Sequence, residues 1–185
     1  MIHFLIACLG VAVLVAGPAA AQDKTPAPRA AAKTPTVLIT LEKGGEILLE
    51  LWPQDAPRHV ENFVKLAREK FYDGQRVHRV EPNFVVQFGD PQSRTLPLND
   101  PKMGSGGPGY TIKAEFNKRP FERGVLGMAR TSDPDSAGSQ VYLMLGPAPH
   151  LNGQYTAFGK VATGMGVVDQ LRVGDRIKSI RIVTP

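Results

Sequence analysis

The stretch TVLITLEKGGEILLEL, residues 36–51, decides the fold class. Apolar residues stand at every second position from Val37 to Leu41, and again from Ile47 to Leu51. This period of two is typical of strands with one buried face. Between the two runs lies Lys43-Gly44-Gly45, and glycines favour the tight turn that joins two antiparallel strands. The stretch therefore predicts a β-hairpin.

The residues that follow the hairpin predict an amphipathic helix. Four apolar residues keep the i, i+3, i+4, i+7 spacing of one helix face, namely Val60, Phe63, Val64 and Ala67. Asp55 precedes them, and its side chain suits the N-cap position, while Pro57 suits the first turn. We expect the helix to begin at these residues.

Short β-rich runs occupy most of the remaining chain, and glycine and proline turns separate them. They cover residues 77–80, 84–88, 125–129, 140–145, 156–161 and 177–183, with a second short helix expected at 167–171. Many short strands with few helices favour a mainly β fold, closed or nearly closed as an antiparallel barrel, over alternating strands and helices.

The first 35 residues differ in composition from the rest of the chain. Residues 1–21 contain no Lys, Arg, Asp or Glu and end in Pro18-Ala19-Ala20-Ala21, which predicts a secretory signal peptide. A buried N-terminal helix or an uncleaved anchor is the alternative. Residues 22–35 are rich in Ala, Pro and Lys and predict a flexible linker, so residues 36–185 form the expected folded domain. We expect a periplasmic or secreted protein with no stable membrane association after cleavage.

Composition excludes several classes of function. The only cysteine, Cys8, lies in the expected signal peptide, so disulfides and thiol catalysis are excluded for the mature protein. The net charge of +5 is spread among acidic residues rather than gathered in one stripe, so we expect no nucleic-acid binding. The histidines of the expected mature chain are His59, His78 and His150. They lack metal-ligand spacing, and we expect no metal.

Residues 104–109, GSGGPG, satisfy the bare G-x-G-x-x-G pattern of dinucleotide sites. Such a site needs a strand before the pattern and a helix after it, so that phosphate meets free helix N–H groups. Here Pro108 interrupts the pattern and the strand-like residues 110–113 follow it. We therefore interpret the pattern as a loop and expect no cofactor.

Five segments remain, and their order is informative. They are HRV at 78–80, NFVVQFGD at 83–90, GMAR at 127–130, SQVY at 139–142 and LNGQYTAFGK at 151–160. Together they resemble the cyclophilin family of peptidyl-prolyl cis-trans isomerases, in the same order and at similar spacing from Thr36 to Val183. The resemblance implies an eight-stranded closed antiparallel β-barrel capped by two helices. It also implies catalysis of Xaa–Pro bond rotation with no metal, nucleotide or covalent intermediate.

The resemblance also assigns roles to ten residues. Arg79 matches the catalytic arginine, and Gln87 is assigned to catalysis with it. The remaining eight are assigned to substrate binding: Phe84, Val85, Tyr142 and Leu151 match the apolar proline pocket, Ala129 and Arg130 hold the substrate backbone together with Gln87, and His150 and Tyr155 complete the site.

Five positions depart from the commoner family pattern. Val141-Tyr142 replaces a pair of phenylalanines, and Phe88 stands where glycine is common. His150 replaces a tryptophan and Tyr155 a histidine that many eukaryotic members carry. Because His150 lacks the indole N–H, the resemblance implies weak cyclosporin binding.

Two functional hypotheses stay open at this point. The first is an active, monomeric isomerase that acts on proline-containing, unfolded or partly folded exported polypeptides, and Arg79 and Gln87 favour it. The second is a proline-peptide binding module or chaperone with weak or no catalysis. Tyr142 favours the second, because it places a phenol hydroxyl near the proline pocket.

Overall fold

The computed structural model describes residues 34–184. Eight strands and two α-helices are present in this range: β1 Thr36–Leu41, β2 Glu46–Leu51, α1 Pro57–Arg68, β3 Arg79–Glu81, β4 Val85–Phe88, β5 Val125–Met128, β6 Val141–Met144, β7 Ala157–Thr163, α2 Met165–Asp169 and β8 Ile177–Thr184. Two short 3₁₀ helices cover Pro91–Arg94 and Pro149–Leu151. The predicted signal peptide, and all but the last two residues of the predicted linker, lie outside the described residues.

The eight strands form one antiparallel sheet in the order β3-β4-β6-β5-β7-β2-β1-β8. The sheet curls so that its two ends meet through the segments that precede β3 and β8. Val77 N–H donates to the Asp175 carbonyl, and Gly174 N–H donates to the Val77 carbonyl, both at 2.9 Å. The prediction of an eight-stranded antiparallel barrel with two helices is confirmed, and such closure leaves few unpaired strand edges.

The barrel interior contains the main apolar core. The hairpin supplies alternate residues to it, as predicted, and α1 adds the apolar face of Val60, Phe63, Leu66 and Ala67. Phe63 contacts the rings of Tyr72 and Phe158 at centroid distances of 5.2 and 5.6 Å. The pair with Phe158 is edge-to-face, a geometry that adds about 0.5–1.5 kcal/mol beyond burial.

The start of α1 differs in one respect from the prediction. Pro57 is the first helical residue as expected, but the N-cap is Ala56, and the Asp55 carboxylate instead accepts from Arg119 at 2.8 Å. Glu115, from a distant loop, accepts the backbone N–H groups of Arg58 at 3.1 Å and His59 at 2.9 Å. A carboxylate brought in by the tertiary fold therefore satisfies the free donors of the helix.

Strand β4 divides its residues between two faces. Val86 and Phe88 are buried in the barrel core, whereas Val85 belongs to a second apolar cluster on the opposite face. Strict alternation along the predicted run 84–88 would put Phe84 on the same face as Val86, but Phe84 packs against the second cluster. Phe84 precedes the strand and follows Asn83, whose φ of +60° breaks the alternation.

Candidate active site

A groove of about 450 Å³ lies on the outer face of the sheet, beside the second apolar cluster. Eleven residues line it: Arg79, Phe84, Val85, Gln87, Ala129, Arg130, Tyr142, His150, Leu151, Gln154 and Tyr155. All ten residues that the sequence singled out are among them, and Gln154 is the one that it missed. The structure thus brings together residues that are up to 76 positions apart, counting from Arg79 to Tyr155.

Strand register explains why these side chains converge. Arg79 pairs with Gln87, Gln87 with Tyr142, and Tyr142 with Gly127, across β3, β4, β6 and β5. Directly opposed residues of an antiparallel sheet point to the same face. The four positions therefore form one row across the outer surface, with the arginine at one end.

Tyr142 occupies the middle of the groove, and Gly127 makes room for it. A Cβ atom at position 127 would lie 2.6 Å from the Tyr142 hydroxyl oxygen and would overlap the ring carbons Cζ and Cε2. The ring packs against Phe121 and Tyr155 at centroid distances of 6.0 and 6.3 Å. A glycine inside a strand indicates such a close approach, so this signal was present in the sequence.

The Tyr142 side chain is only 5% exposed, and within residues 34–184 its hydroxyl has no hydrogen-bond partner. Burial raises the pKa of this phenol, and the neighbouring Tyr155 raises it further. Tyr142 is therefore a neutral phenol, and its hydroxyl lies in apolar surroundings.

Arg79 lies at the exposed rim, where its side chain is 45% exposed. Its Nη1 donates to Gln87 Oε1 at 3.2 Å, and its Nε lies 3.5 Å from Glu81 Oε1. The guanidinium carbon is 5.8 Å from the Phe84 ring centroid. These contacts hold a permanently charged group beside the apolar part of the groove.

A chain of amides continues from Arg79 into the fold. Gln87 Nε2 donates to Gln140 Oε1 at 2.9 Å, and Gln140 Nε2 donates to the carbonyls of Gly104 and Gly106, each at 2.8 Å. The donors and acceptors around each amide determine which end is the oxygen and which the nitrogen. The orientation of the Gln87 oxygen toward Arg79 is therefore fixed. Sequence reasoning gave Gln140 no role, because its partner lies 53 residues away.

The glycine-rich segment 104–109 has a structural explanation in this chain. The buried Asp90 carboxylate accepts the backbone N–H groups of Gly104 at 2.6 Å and Gly106 at 3.3 Å. Any side chain at Gly106 would overlap Asp90. The segment consists of turns and irregular backbone that lead to an isolated bridge at Ile112, with no helix after it in the described chain before Pro149. The interpretation as a loop is confirmed.

The opposite rim is built from the 3₁₀ helix Pro149–Leu151 and the residues after it. This helix places Leu151 in the apolar cluster and exposes His150, whose ring stacks on Phe84 at 5.8 Å. The Phe84 carbonyl accepts the Leu145 N–H at 2.7 Å, which anchors the aromatic side of the rim. Phe84 and His150 thus face each other across the edge of the groove.

Arg130 forms the wall at the far end. Its guanidinium carbon lies 4.3 Å from the Tyr155 ring centroid and 5.8 Å from that of Phe116. Nε and Nη2 donate to the Gln154 carbonyl at 3.2 and 2.9 Å, and Nη1 donates to the Thr131 carbonyl at 2.8 Å. The side chain is therefore held in place by the protein itself.

Two further histidines are shielded from solvent, His59 in α1 and His78 beside Arg79. Burial lowers the pKa of His59, although the hydrogen bond and charge of Glu115, whose Oε2 lies 2.7 Å from Nδ1, act in the opposite direction. Burial likewise lowers the pKa of His78, against the charge of Asp90. Both imidazoles are neutral at pH 7. Within residues 34–184, no group of three His, Cys, Asp or Glu side chains could hold a metal ion, and no helix could span a membrane.

Comparisons with known proteins agree with this geometry. The family model described as cyclophilin type peptidyl-prolyl cis-trans isomerase/CLD matches residues 36–184. A probable peptidyl-prolyl cis-trans isomerase of Brucella suis is 42% identical over 153 residues, covering 81% of this chain and 78% of that protein. Peptidyl-prolyl cis-trans isomerase B of Bacillus subtilis is 45% identical over 144 residues, covering 77% and 94%.

Solved structures add the same comparison at the level of the fold. The crystal structure of a cyclophilin type isomerase of Cryptosporidium parvum, obtained in the presence of the dipeptide Ala-Pro, matches with a TM-score of 0.69. It is 26% identical and covers 81% of this chain and 99% of its own.

Proposed function

The chain belongs to the cyclophilin-type peptidyl-prolyl cis-trans isomerases, and on this premise we propose that its groove turns over Xaa–Pro bonds of unfolded or partly folded exported polypeptides. The observation that carries the catalytic assignment is the row formed by Arg79, Gln87 and Tyr142, with the guanidinium 3.2 Å from the glutamine oxygen. This row places a fixed cation next to an apolar pocket.

Rotation about a prolyl bond needs little chemistry but a specific environment. The amide must lose its resonance, which sets an uncatalysed barrier of about 18–20 kcal/mol. In the twisted state the nitrogen becomes pyramidal and basic, whereas the planar ground state is more dipolar and better hydrated. A site accelerates rotation when it stabilises the twisted amide and removes water from the planar one. No proton leaves the substrate.

We assign the first task to Arg79. Its guanidinium is charged at any physiological pH and presents donors from a rigid plane. Gln87 is the positioning residue, since it accepts from Nη1 at 3.2 Å and is itself held by Gln140 at 2.9 Å. The remaining N–H groups of Arg79 are then available to the amide nitrogen of the substrate.

We assign the second task to the apolar part of the groove. Phe84, Val85, Tyr142 and Leu151 offer the proline ring a surface that excludes water, and the Ala-Pro dipeptide used with the Cryptosporidium parvum relative is a ligand of this chemistry. Gln87 and Ala129 are assigned to the substrate backbone. Arg130 acts as a wall, because its donors already bind the carbonyls of Gln154 and Thr131.

The setting of the protein is part of the proposal. The charge-free residues 1–21 support export to the periplasm or the exterior, where nascent polypeptides fold after translocation. The partners are then proline-containing segments of exported proteins, and the protein binds them as a monomer. Cyclosporin would bind weakly, because His150 supplies neither the indole N–H nor its apolar area.

One observation favours the second hypothesis, a binding module with weak catalysis. The Tyr142 hydroxyl lies buried beside the proline pocket without a partner in the described chain. An unpaired hydroxyl costs free energy when a ligand displaces water from its surroundings. The two hypotheses differ in the expected effect of removing Arg79. Under the first, the rotation rate falls far more than the peptide affinity. Under the second, the rotation rate is unchanged.

The test is substitution of Arg79 with NMR exchange on one Xaa–Pro peptide, which reports affinity and rotation rate together. Arg79→Ala is expected to lower kcat/KM by roughly two orders of magnitude, equivalent to about 3 kcal/mol, with a much smaller change in affinity. Arg79→Lys is expected to recover only part of the rate.

The matched control is Arg181→Ala, because Arg181 is also 45% exposed, forms one ion pair, with Asp73, and does not line the groove. Circular dichroism checks folding of each variant. A folded Arg79→Ala protein that rotates the peptide at the wild-type rate would leave only the binding module.

A further inference from the structure

The groove is lined by two arginines and no carboxylate. Among its eleven lining residues, Arg79 and Arg130 carry permanent charge, and none is Asp or Glu. Arg79 is partly compensated, since Glu81 lies 3.5 Å from its Nε. Arg130 forms no ion pair within the described residues. The charge of Arg130 is therefore the uncompensated one.

Other arginines of the described chain, Arg172 among them, also lack a carboxylate partner, but Arg130 is the one of these that lines the groove. Arg119, Arg123 and Arg181 each contact an aspartate at 2.7–2.8 Å. The nitrogens of Arg130 instead meet backbone carbonyls, which orient the guanidinium but leave its net charge unneutralised. The rings of Tyr155 and Phe116 lie 4.3 and 5.8 Å from its guanidinium carbon and, with the carbonyl contacts, favour this orientation.

The acidic side chains of the loop that follows Arg130 accept backbone N–H groups. Asp133 accepts the backbone N–H of Asp135 at 2.9 Å, and Asp135 accepts that of Ala114, also at 2.9 Å. Glu115 is engaged with the start of α1. No carboxylate of these elements lies within 4 Å of the Arg130 nitrogens.

Arg130 also lies where a bound chain would pass. It lines both the groove and a neighbouring cleft of about 480 Å³, whose lining likewise includes no Asp or Glu. Strands β3 and β5 are three strand spacings apart, roughly 14 Å at about 4.8 Å each. Because an extended residue spans about 3.3–3.6 Å, a side chain within two positions of a proline seated midway reaches the Arg130 wall.

We infer that the groove selects prolines flanked within two residues by Asp or Glu, with Arg130 as the specificity-determining charge. The inference rests on the proposed function, since the substrate must lie in this groove. Attraction between partly exposed charges changes affinity modestly, so we expect a peptide with Glu to be turned over about two- to fivefold faster than its Gln isostere at low salt. The Lys peptide is expected to be slower than the Gln peptide.

The experiment uses the full chain and capped peptides that carry a single proline. Glu, Gln or Lys is placed two residues before, one before or one after the proline, and NMR exchange gives Kd and kcat/KM for each. The Glu/Gln ratio is expected to exceed about two at one or more positions, and to fall toward one in 0.5 M NaCl because salt screens exposed charges.

Two variants separate charge from shape. Arg130→Gln is expected to abolish the Glu/Gln preference, whereas Arg130→Lys keeps it, because lysine retains the charge without the planar stack. Arg181→Gln serves as the control outside the groove and is expected to leave the ratio unchanged. If Arg130→Gln fails to fold, Arg130→Lys and the salt series still decide.

The outcomes are distinguishable. A Glu/Gln ratio near one at all three positions overturns the inference, as does a preference that persists in Arg130→Gln. With either outcome, normal turnover of the neutral peptides by the wild-type protein leaves the proposed function intact. If no peptide is turned over, the proposed function fails, and the ratio of Kd values then decides the charge preference of the groove.

Discussion

Removing the Tyr142 hydroxyl tests whether this buried, unpaired group lowers the stability of the protein. The side chain is 5% exposed, and its hydroxyl has no partner in the described part of the chain. A buried hydroxyl without a hydrogen bond costs about 1–3 kcal/mol. Tyr142→Phe deletes that cost and keeps the ring on Gly127, against Phe121 and Tyr155. We expect the free energy of unfolding to rise by about 1 kcal/mol, or roughly 2–4 °C in Tm for a chain of this size.

The matched control is Tyr72→Phe, the same chemical change at a residue that is also buried. The Tyr72 hydroxyl donates to the Ser139 carbonyl at 3.2 Å, so its loss leaves an unpaired acceptor and is expected to lower stability by about 1 kcal/mol. Urea unfolding of both variants gives the comparison. We also expect Tyr142→Phe to bind Xaa–Pro peptides more tightly, because the pocket becomes fully apolar. If Tyr142→Phe is destabilised as Tyr72→Phe is, the hydroxyl has a partner such as a buried water, and the reasoning is wrong.

Four further predictions address other parts of the structure. Gly127→Ala is expected to displace the Tyr142 ring and to cost about 1–3 kcal/mol of stability as well as peptide affinity; wild-type affinity in a peptide titration would contradict this. Burial lowers the pKa of His59 and His78 below 6.5, so the unfolded chain binds more protons as the pH falls below that value, and urea unfolding at pH 5.5 is expected to show lower stability than at pH 7.5. Exchanging His150→Trp is expected to tighten cyclosporin binding, measured by calorimetry, and an unchanged Kd would mean that position 150 does not face the ligand. A chelator is expected to leave isomerase activity unchanged, and activity that is lost and then restored by added metal would refute a metal-free reaction.

The sequence was sufficient for the features that depend on local periodicity. Alternation over residues 36–51 predicted β1 and β2, and the spacing of four apolar residues predicted α1. The ten site residues were assigned by resemblance, and they line one groove. Their register across four strands could not be read from the sequence, because strand pairing joins residues far apart in the chain.

The errors and omissions have the same physical origin. Aspartate is a favoured N-cap residue, which made Asp55 the candidate. At α1 the carboxylate of Glu115, 56 residues from His59 in the sequence, accepts the free N–H groups instead. Gln140 has no local pattern that marks it, and its importance appears only once β4 and β6 are paired. Gly127 was quoted within a motif, yet the reason for a glycine there is a ring on the neighbouring strand. Tertiary partners decided each case.

The chain of amides that holds Gln87 against Arg79 contains no group that gains or loses a proton in ordinary conditions. The side-chain amides of Gln87 and Gln140 and the carbonyls of Gly104 and Gly106 are neutral throughout, and the guanidinium stays charged. The rotation rate is therefore expected to be independent of acidity from about pH 7 to 9, where His78, which contacts Gln140 and whose pKa burial lowers, also stays neutral. Over that range the fixed geometry of these groups sets the turnover, and no catalytic acid or base has to be in the right protonation state.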